Sequence, residues 1–229
     1  MLEELKREVW RANRSLVEHG LVQLTFGNVS GIDPSRRYVV IKPSGVPYTD
    51  LQPEHMPVVD LSGTVVEGEL RPSTDTPTHL GLYRHFERIG GITHAHSRHA
   101  TMFAQARREI PCLGTTHADH FHGPVPVTRP LSDAEVEHAY EANTARIIIE
   151  RFADLDPSAV PAVLVAGHGP FTWGADVTGA VETAVALELV AAMAVGTYAI
   201  DANAPELERR VLDKHYERKH GREAYYGQD

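Results

Sequence analysis

Three histidines are spaced so that together they could bind one metal ion. His94 and His96 lie two residues apart at the end of an apolar run, and side chains at positions i and i+2 of a strand project from the same face. His168 follows a second apolar run, within Gly167-His168-Gly169-Pro170, where glycine lets the backbone approach a ligand closely. Neutral imidazole is a common zinc ligand, and three histidines leave a coordination position open, as catalytic zinc sites do. The spacing favours a catalytic metal site, although a polar turn would also account for His168.

The segment around these histidines approximates a second type of metal signature, the His-x-His-x-Asp-His pattern of binuclear metallohydrolases. That pattern requires a carboxylate at the position where this chain has Arg98, and a cation there would repel a second metal ion. The sequence therefore argues against a two-metal centre. We interpret His99 as a residue on the surface of a helix.

Three polar segments between apolar runs carry groups that bind anions. Lys42-Pro43-Ser44-Gly45 supplies a cation, a hydroxyl and accessible backbone N–H groups. Ser73-Thr74-Asp75 precedes a helix whose N-terminus would also favour an anion, and Gly27-Asn28 is a further polar turn. A plain turn and an ordinary helix N-cap explain these segments equally well, so spacing alone does not decide between the two interpretations.

Helices and strands alternate along the chain, which predicts one α/β domain over 1–229. A hairpin at Ser62-Gly63 means that the sheet need not be parallel, and we expect a three-layer α/β/α fold around a largely antiparallel mixed sheet. The spacing of apolar residues, with capping signals, predicts helices over 2–19, 77–87, 98–108, 133–152, 176–199 and 205–219, and strands over 38–41, 56–61, 64–67, 91–96 and 161–166.

Composition excludes several classes of protein. With 22 Lys and Arg against 31 Asp and Glu, the net charge is −9, so non-specific nucleic-acid binding is not expected. The N-terminal segment MLEELKREVW has no apolar core of a secretory signal. Glu182 and Glu188 interrupt the apolar stretch near the C-terminus, which predicts a buried helix rather than a membrane span. The single cysteine, Cys112, suits a reducing cytoplasm.

Five segments, in this order along the chain, resemble the class II aldolase and sugar-phosphate epimerase family. They cover almost the whole sequence and read Phe26-Gly27-Asn28-Val29-Ser30-Gly31, Lys42-Pro43-Ser44-Gly45, Ser73-Thr74-Asp75-Thr76-Pro77-Thr78-His79, Thr93-His94-Ala95-His96-Ser97 and Gly167-His168-Gly169-Pro170-Phe171. The pattern departs mildly from the family at Phe26, Thr74, His120 and His122. Thr74 keeps a hydroxyl in place of the usual serine, so this departure bears on affinity rather than on chemistry.

The resemblance implies a role for each matching residue. The residues expected to bind Zn²⁺, with Mn²⁺ or Co²⁺ as substitutes, are Asp75, His94, His96 and His168. Those expected to bind the phosphate or position a sugar-phosphate substrate are Gly27, Asn28, Lys42, Ser44, Gly45, Ser73 and Thr74. Asp119 and Tyr226 would form the acid/base pair. None of the four lysines is marked by its surroundings in the sequence as a desolvated former of a Schiff base, so the metal is the expected electron sink.

Within the family, three features resemble the L-ribulose-5-phosphate 4-epimerases. They are the aspartate at position 75, the loop Gly114-Thr115-Thr116-His117-Ala118-Asp119, and the tail from Asp213 to Gln228. This implies interconversion of L-ribulose 5-phosphate and D-xylulose 5-phosphate, a reaction of arabinose catabolism, in a homotetramer with active sites between subunits. Two alternatives remain open: a class II aldolase or related lyase acting on another sugar phosphate, and a non-enzymatic domain like those of the adducins, which lack the metal histidines.

Overall fold

The computed structural model describes residues 2–222 and 224–226, which form a single domain around a seven-stranded sheet. The strands run in the order β4-β3-β2-β1-β5-β7-β6, and every pair of neighbours is antiparallel. Among the described residues the only parallel pairing is the isolated bridge between Val127 and Leu164. The strands are β1 (Asn28–Ile32), β2 (Tyr38–Ile41), β3 (Val58–Asp60), β4 (Val65–Glu67), β5 (Gly91–His94), β6 (Ala162–Leu164) and β7 (Pro170–Gly174).

Helices cover both faces of the sheet, which gives the expected three-layer α/β/α fold. They are α1 (Glu3–Glu18), α2 (Thr76–His85), α3 (Arg98–Ala106), α4 (Thr115–Ala118), α5 (Asp133–Glu137), α6 (Tyr140–Arg151), α7 (Val177–Ile200) and α8 (Arg209–His220). Alternate side chains of a strand point to opposite faces: Val39 packs in the cluster formed with α2 and α6, whereas Val40 packs with α1 and α7. The central strands of the sheet are therefore buried on both sides, whereas the edge strand β4 is exposed.

Helix α7 is the apolar stretch that the sequence predicts to be a core helix. Its length and composition would allow it to span a membrane, but it packs against β5 and β7 and against α1 and α3. Its buried residues contribute to two separate hydrophobic clusters. A helix that contacts protein on several sides is apolar because it lies in the core, so the composition of α7 needs no membrane to explain it.

The central strands bring distant parts of the chain to one end of the sheet. Antiparallel pairing places Asn28 of β1 beside His94 of β5, and His94 beside Phe171 of β7. From the sequence, Gly27-Asn28 was expected to be a turn, and neither β1 nor β7 was predicted. β1 has the sequence NVSGI and is buried on both faces, so it lacks the alternation of apolar and polar residues that marks a half-buried strand.

Two predicted helices differ from the structure. The helix predicted over 133–152 divides into α5 and α6, because Ala139 adopts a left-handed conformation with φ of 55° and the Asn143 side chain donates hydrogen bonds to the His138 and Glu135 carbonyls. The last helix begins at Arg209 rather than at Pro205. Its expected first turn is extended because the backbone N–H of Leu207 donates to the Cys112 carbonyl at 2.8 Å.

Candidate metal centre and substrate cavity

The three histidines predicted to bind a metal converge at the end of the sheet. His94 is the last residue of β5, His96 follows it, and His168 lies in the turn between β6 and β7. One ligand nitrogen from each lies within 4.8 Å of the other two. Gly169 makes room for this arrangement, since a Cβ there would lie 3.0 Å from a carbon of the His96 ring. The three side chains form a compact donor set that can hold one divalent cation.

Hydrogen bonds orient two of the three imidazoles. Nδ1 of His94 lies 2.9 Å from the Pro170 carbonyl; because a carbonyl only accepts, Nδ1 donates and the Nε2 lone pair is left for a metal. The His94 ring also stacks on Phe171, with centroids 4.2 Å apart. Nδ1 of His168 lies 3.5 Å from the Tyr140 hydroxyl. Burial, with the neighbouring His94 and His96, lowers the pKa of His168 to about 4, so this imidazole is neutral near pH 7, as a metal ligand must be.

Asp75 provides a carboxylate beside the histidines. It occupies the N-cap position of α2, but its side chain makes no capping hydrogen bond and instead accepts one from Nδ2 of Asn28 at 2.7 Å. Burial alone would raise the pKa of Asp75, but the nearby His94 and His79 and the hydrogen bond from Asn28 outweigh it and hold the pKa below its usual value. Asp75 is therefore an ionised carboxylate next to the candidate ligands.

Lys42 and the hydroxyl-bearing segments line the same cavity as the histidines. The backbones of the two segments are joined: the Ser44 N–H donates to the Arg71 carbonyl at 2.9 Å, and the Ser73 N–H donates to the Lys42 carbonyl at 3.0 Å. This pairing places Ser44, Ser73 and Thr74 around one space. Gly45 has φ of 70°, a conformation that favours glycine. The arrangement has the donors that an oxyanion requires.

Lys42 is a buried cation, although its surroundings in the sequence do not mark it as a desolvated lysine. Only 2% of the residue is exposed, and burial lowers its pKa to about 8. Nζ donates to the carbonyls of Pro43 and Val46 at 3.3 and 3.1 Å and lies 4.8 Å from the centre of the Tyr48 ring. No carboxylate pairs with it among the described residues. The preference for a metal over an imine as electron sink therefore rests on the histidines, not on the absence of a desolvated lysine.

Tyr48 connects this lysine to the turn before β1. Its hydroxyl lies 2.8 Å from the Phe26 carbonyl and 2.9 Å from the Gly27 carbonyl. Gly27 has φ of 79°, and a Cβ there would lie 2.6 Å from a methyl group of Val22. Only glycine fits this turn. Tyr48 and Tyr140 were not identified from the sequence, because each is a single aromatic residue without a spacing pattern that would mark it.

One cavity of about 340 Å³ is lined by the three histidines, Asp75, Lys42 and the hydroxyl-bearing segments. Every residue predicted to bind metal, phosphate or substrate lines it, together with Thr25, Phe26 and Pro43. A larger groove of about 670 Å³ lies between α2 and α6, but none of the three histidines lines it. The small cavity is therefore the candidate active site.

The predicted acid/base residues lie outside this cavity but close to each other. Asp119, at the end of α4, accepts hydrogen bonds from the Arg218 guanidinium at 2.8 and 2.9 Å and from the His215 ring at 3.0 Å. Burial would raise the pKa of Asp119, but these bonds outweigh it and lower the pKa. The Arg218 guanidinium lies 5.0 Å from the centre of the Tyr226 ring, and the Tyr226 N–H donates to the Arg218 carbonyl. Within one chain, Asp119 and Tyr226 form a cluster separate from the histidines.

Comparison with known proteins agrees with the family resemblance seen in the sequence. Residues 7–195 match the family described as "Class II Aldolase and Adducin N-terminal domain". The chain is similar to a solved L-fuculose 1-phosphate aldolase, with 26% identity over 94% of this chain and 95% of that one and a TM-score of 0.79. It shares its fold with YgbL from Klebsiella pneumoniae (24% identity, 93% and 99% coverage, TM-score 0.71) and with an L-fuculose-1-phosphate aldolase from Thermus thermophilus (24% identity, 89% and 98% coverage, TM-score 0.68).

Proposed function

The chain belongs to the class II aldolase and adducin N-terminal domain family, and from this premise we propose that it is a metal-dependent epimerase that interconverts L-ribulose 5-phosphate and D-xylulose 5-phosphate. One observation carries the proposal: a three-histidine donor set and a buried lysine line the same small cavity. This combination suits a substrate that has oxygen ligands at one end and a phosphate at the other. It also argues against a purely structural domain of the adducin type.

The residues present fit a divalent cation. His94, His96 and His168 offer neutral nitrogen donors, and Asp75 offers a carboxylate that reduces the net charge of the occupied site. Zn²⁺ prefers such a set of ligands, and Co²⁺ or Mn²⁺ are possible substitutes. Bound there, the metal would act as a Lewis acid towards the ketose C2 and C3 oxygens.

Lys42 and the hydroxyl-bearing segments of the cavity suit the phosphate of the substrate. The hydroxyls of Ser44, Ser73 and Thr74 can donate to phosphate oxygens, and Lys42 supplies a positive charge that no carboxylate in the described part of the chain neutralises. An overall charge of −9 makes this local cation more important, because the global field repels an anionic substrate. Asn28 connects the two sets of residues, since its Nδ2 donates to Ser73 Oγ at 3.1 Å and to the Asp75 carboxylate at 2.7 Å, and Gly27 lines the same cavity.

Asp119 and Tyr226 would move the protons, and we propose that a neighbouring subunit brings them to the cavity. In one chain they are held together by Arg218 at a distance from the histidines, and a cyclic tetramer brings such unlike surfaces of adjacent copies into contact. One residue takes the proton of the C4 hydroxyl as the C3–C4 bond breaks, which leaves glycolaldehyde phosphate and the enediolate of dihydroxyacetone. After the aldehyde rotates, C3 adds to its opposite face and the other residue protonates the new C4 oxygen. Two residues are needed because the C4 oxygen lies on opposite sides in the substrate and in the product, so one residue cannot reach both positions.

A class II aldolase acting on another sugar phosphate is the second candidate, favoured by the similarity to L-fuculose 1-phosphate aldolase at 26% identity. Incubation of the Zn²⁺-loaded protein with L-ribulose 5-phosphate distinguishes the two. The proposal predicts D-xylulose 5-phosphate without accumulation of dihydroxyacetone and glycolaldehyde phosphate. Unchanged L-ribulose 5-phosphate would support an aldolase that acts on another sugar phosphate, and accumulation of those fragments would support an aldolase that accepts this one. The variant His96→Ala should be inactive, and borohydride added with the substrate should not inactivate the protein, because no imine forms at Lys42.

Cytoplasmic localisation is part of the same proposal. Cys112 is a buried free thiol, as expected in a reducing compartment, and an enzyme acting on intracellular sugar phosphates needs no other location.

A further inference from the structure

A glutamate in the middle of α7 binds the first turn of α3. The Glu188 carboxylate accepts hydrogen bonds from the backbone N–H of His99 at 2.9 and 3.1 Å and from that of Ala100 at 3.1 Å. Nδ1 of the His99 ring lies 2.7 Å from the same carboxylate and also donates to it. The Glu188 side chain is only 19% exposed. These contacts hold together two elements that are far apart in the sequence.

Glu188 takes the place of the usual helix N-cap. Ser97 occupies the N-cap position of α3, but its side chain makes no capping hydrogen bond. His99 and Ala100 are the second and third residues of the helix, whose N–H groups an N-cap side chain normally binds. The capping acceptor therefore comes from another helix, so the position of the α3 N-terminus depends on α7.

This contact lies directly after the metal-binding segment. His96 is two residues before the start of α3, between the end of β5 and the first turn that Glu188 holds. His94 and His168 each have a hydrogen-bond partner for Nδ1, whereas the His96 ring has none among the described residues. The His96 ring contacts Phe26, with centroids 6.2 Å apart, and the rings of His94 and His168, but none of these contacts is a hydrogen bond that fixes it. Its position therefore also depends on the backbone on either side of it.

We propose that Glu188 is a positioning residue for His96: it fixes the start of α3 and so holds His96 in the place where it can bind the metal. The inference rests on the metal site proposed above. A ligand that is already in position when the metal arrives does not have to be ordered at the moment of binding. Loss of the Glu188 contact would therefore weaken metal binding without removing a metal ligand.

The test compares Co²⁺ affinity among three variants of the full-length protein. Glu188→Gln keeps one oxygen acceptor but turns an amide NH₂ group towards the N–H donors, and Glu188→Asp keeps the charge but shortens the reach. Glu182→Gln is the matched control, since Glu182 is an exposed glutamate on the same helix. The Co²⁺ dissociation constant is measured by competition with a chelating dye, the visible spectrum of the bound Co²⁺ reports its coordination, and thermal unfolding of the metal-free protein reports stability.

The expected result is a loss of Co²⁺ affinity of about 10-fold or more in Glu188→Gln, an altered visible spectrum, and wild-type values for Glu182→Gln. Glu188→Asp should show the same changes and is the decisive variant if Glu188→Gln does not fold. Unchanged affinity and spectrum, together with a lower thermal midpoint, would mean that Glu188 only stabilises the packing of α3 on α7, and the inference would be wrong. A wild-type protein that binds no Co²⁺ would overturn the proposed metal site itself, which separates the two failures.

Discussion

Replacement of Lys42 by methionine should weaken phosphate binding with little change in the stability of the fold. Methionine has a similar length and no charge, so Lys42→Met removes the cation from the cavity with little change in packing. A charge-assisted hydrogen bond contributes about 1.5–3 kcal/mol. The dissociation constant for inorganic phosphate, and the KM for the sugar phosphate, should therefore rise by roughly 10- to 150-fold.

Two opposing effects on stability nearly cancel. Burial lowers the pKa of Lys42 from its ordinary 10.5 to about 8, which corresponds to about 3 kcal/mol at 1.36 kcal/mol per pH unit. Because the folded chain binds this proton more weakly than the unfolded chain, the charged lysine destabilises the fold fully below about pH 8, and the penalty fades as pH rises from about 8 towards 10.5. Removing Lys42 relieves the penalty but leaves two carbonyls without a donor, at about 1–3 kcal/mol each. The two effects are of similar size, so the thermal midpoint at pH 7 should stay within about 4 °C of the wild type.

The assay combines calorimetric titration with inorganic phosphate and thermal unfolding at pH 7. Lys6→Met is the matched control: Lys6 is also buried, but its Nζ lies 2.6 Å from the Glu67 carboxylate. This variant should lose stability, because it breaks a partly buried ion pair, and should bind phosphate normally. If Lys42→Met bound phosphate as tightly as the wild type and unfolded at a lower temperature, Lys42 would be a structural residue and the assignment of the phosphate end would be wrong.

Three other predictions follow from the same geometry. Affinity for a sugar phosphate should fall as pH rises through about 8, because Lys42 loses its proton. The titration runs from about pH 7.5 to 9.5, where a phosphate monoester is already a dianion, and a flat profile would exclude Lys42 from the phosphate site. Asp119→Asn and Tyr226→Phe should each lower kcat by about 10²–10⁴ while the metal content stays intact, and a variant with normal turnover would remove that residue from the mechanism. Co-expression of inactive His96→Ala and Tyr226→Phe chains should restore about a quarter of the activity, because random mixing then pairs intact halves across an interface; inactive mixed oligomers would place Tyr226 outside a shared site.

The elements with a clear local signal could be predicted from the sequence, and those held by distant contacts could not. The strand over 38–41 and the hairpin at Ser62-Gly63 carry strong local patterns and agree with the structure. β1 and β7 were missed because a central strand is buried on both faces and shows no alternation. The division between α5 and α6 depends on the left-handed backbone at Ala139, a residue that gives no such signal.

The candidate site, like the fold, could be predicted only where the sequence carries a local signal. Histidine spacing and the family resemblance pointed to residues that the structure gathers in one cavity. The sequence does not indicate that Lys42 is desolvated, because the desolvation arises from Tyr48 and from the fold around the end of β2 rather than from neighbouring residue types. The carboxylate that caps α3 comes from Glu188, 88 positions away from Ala100. From the sequence, Glu188 indicated only that the apolar stretch of α7 does not span a membrane.

The central claim is that this site breaks and re-forms the C3–C4 bond of L-ribulose 5-phosphate. The most direct test is to follow the reaction of the Zn²⁺-loaded protein with this substrate in D₂O by NMR. If C4 inverts through carbon–carbon cleavage, the hydrogen on C4 never leaves that carbon, and D-xylulose 5-phosphate should form with ordinary hydrogen at C4. Deuterium at C4 of the product would show that the carbon is deprotonated instead, and an unchanged substrate would show that the cavity serves a different sugar phosphate.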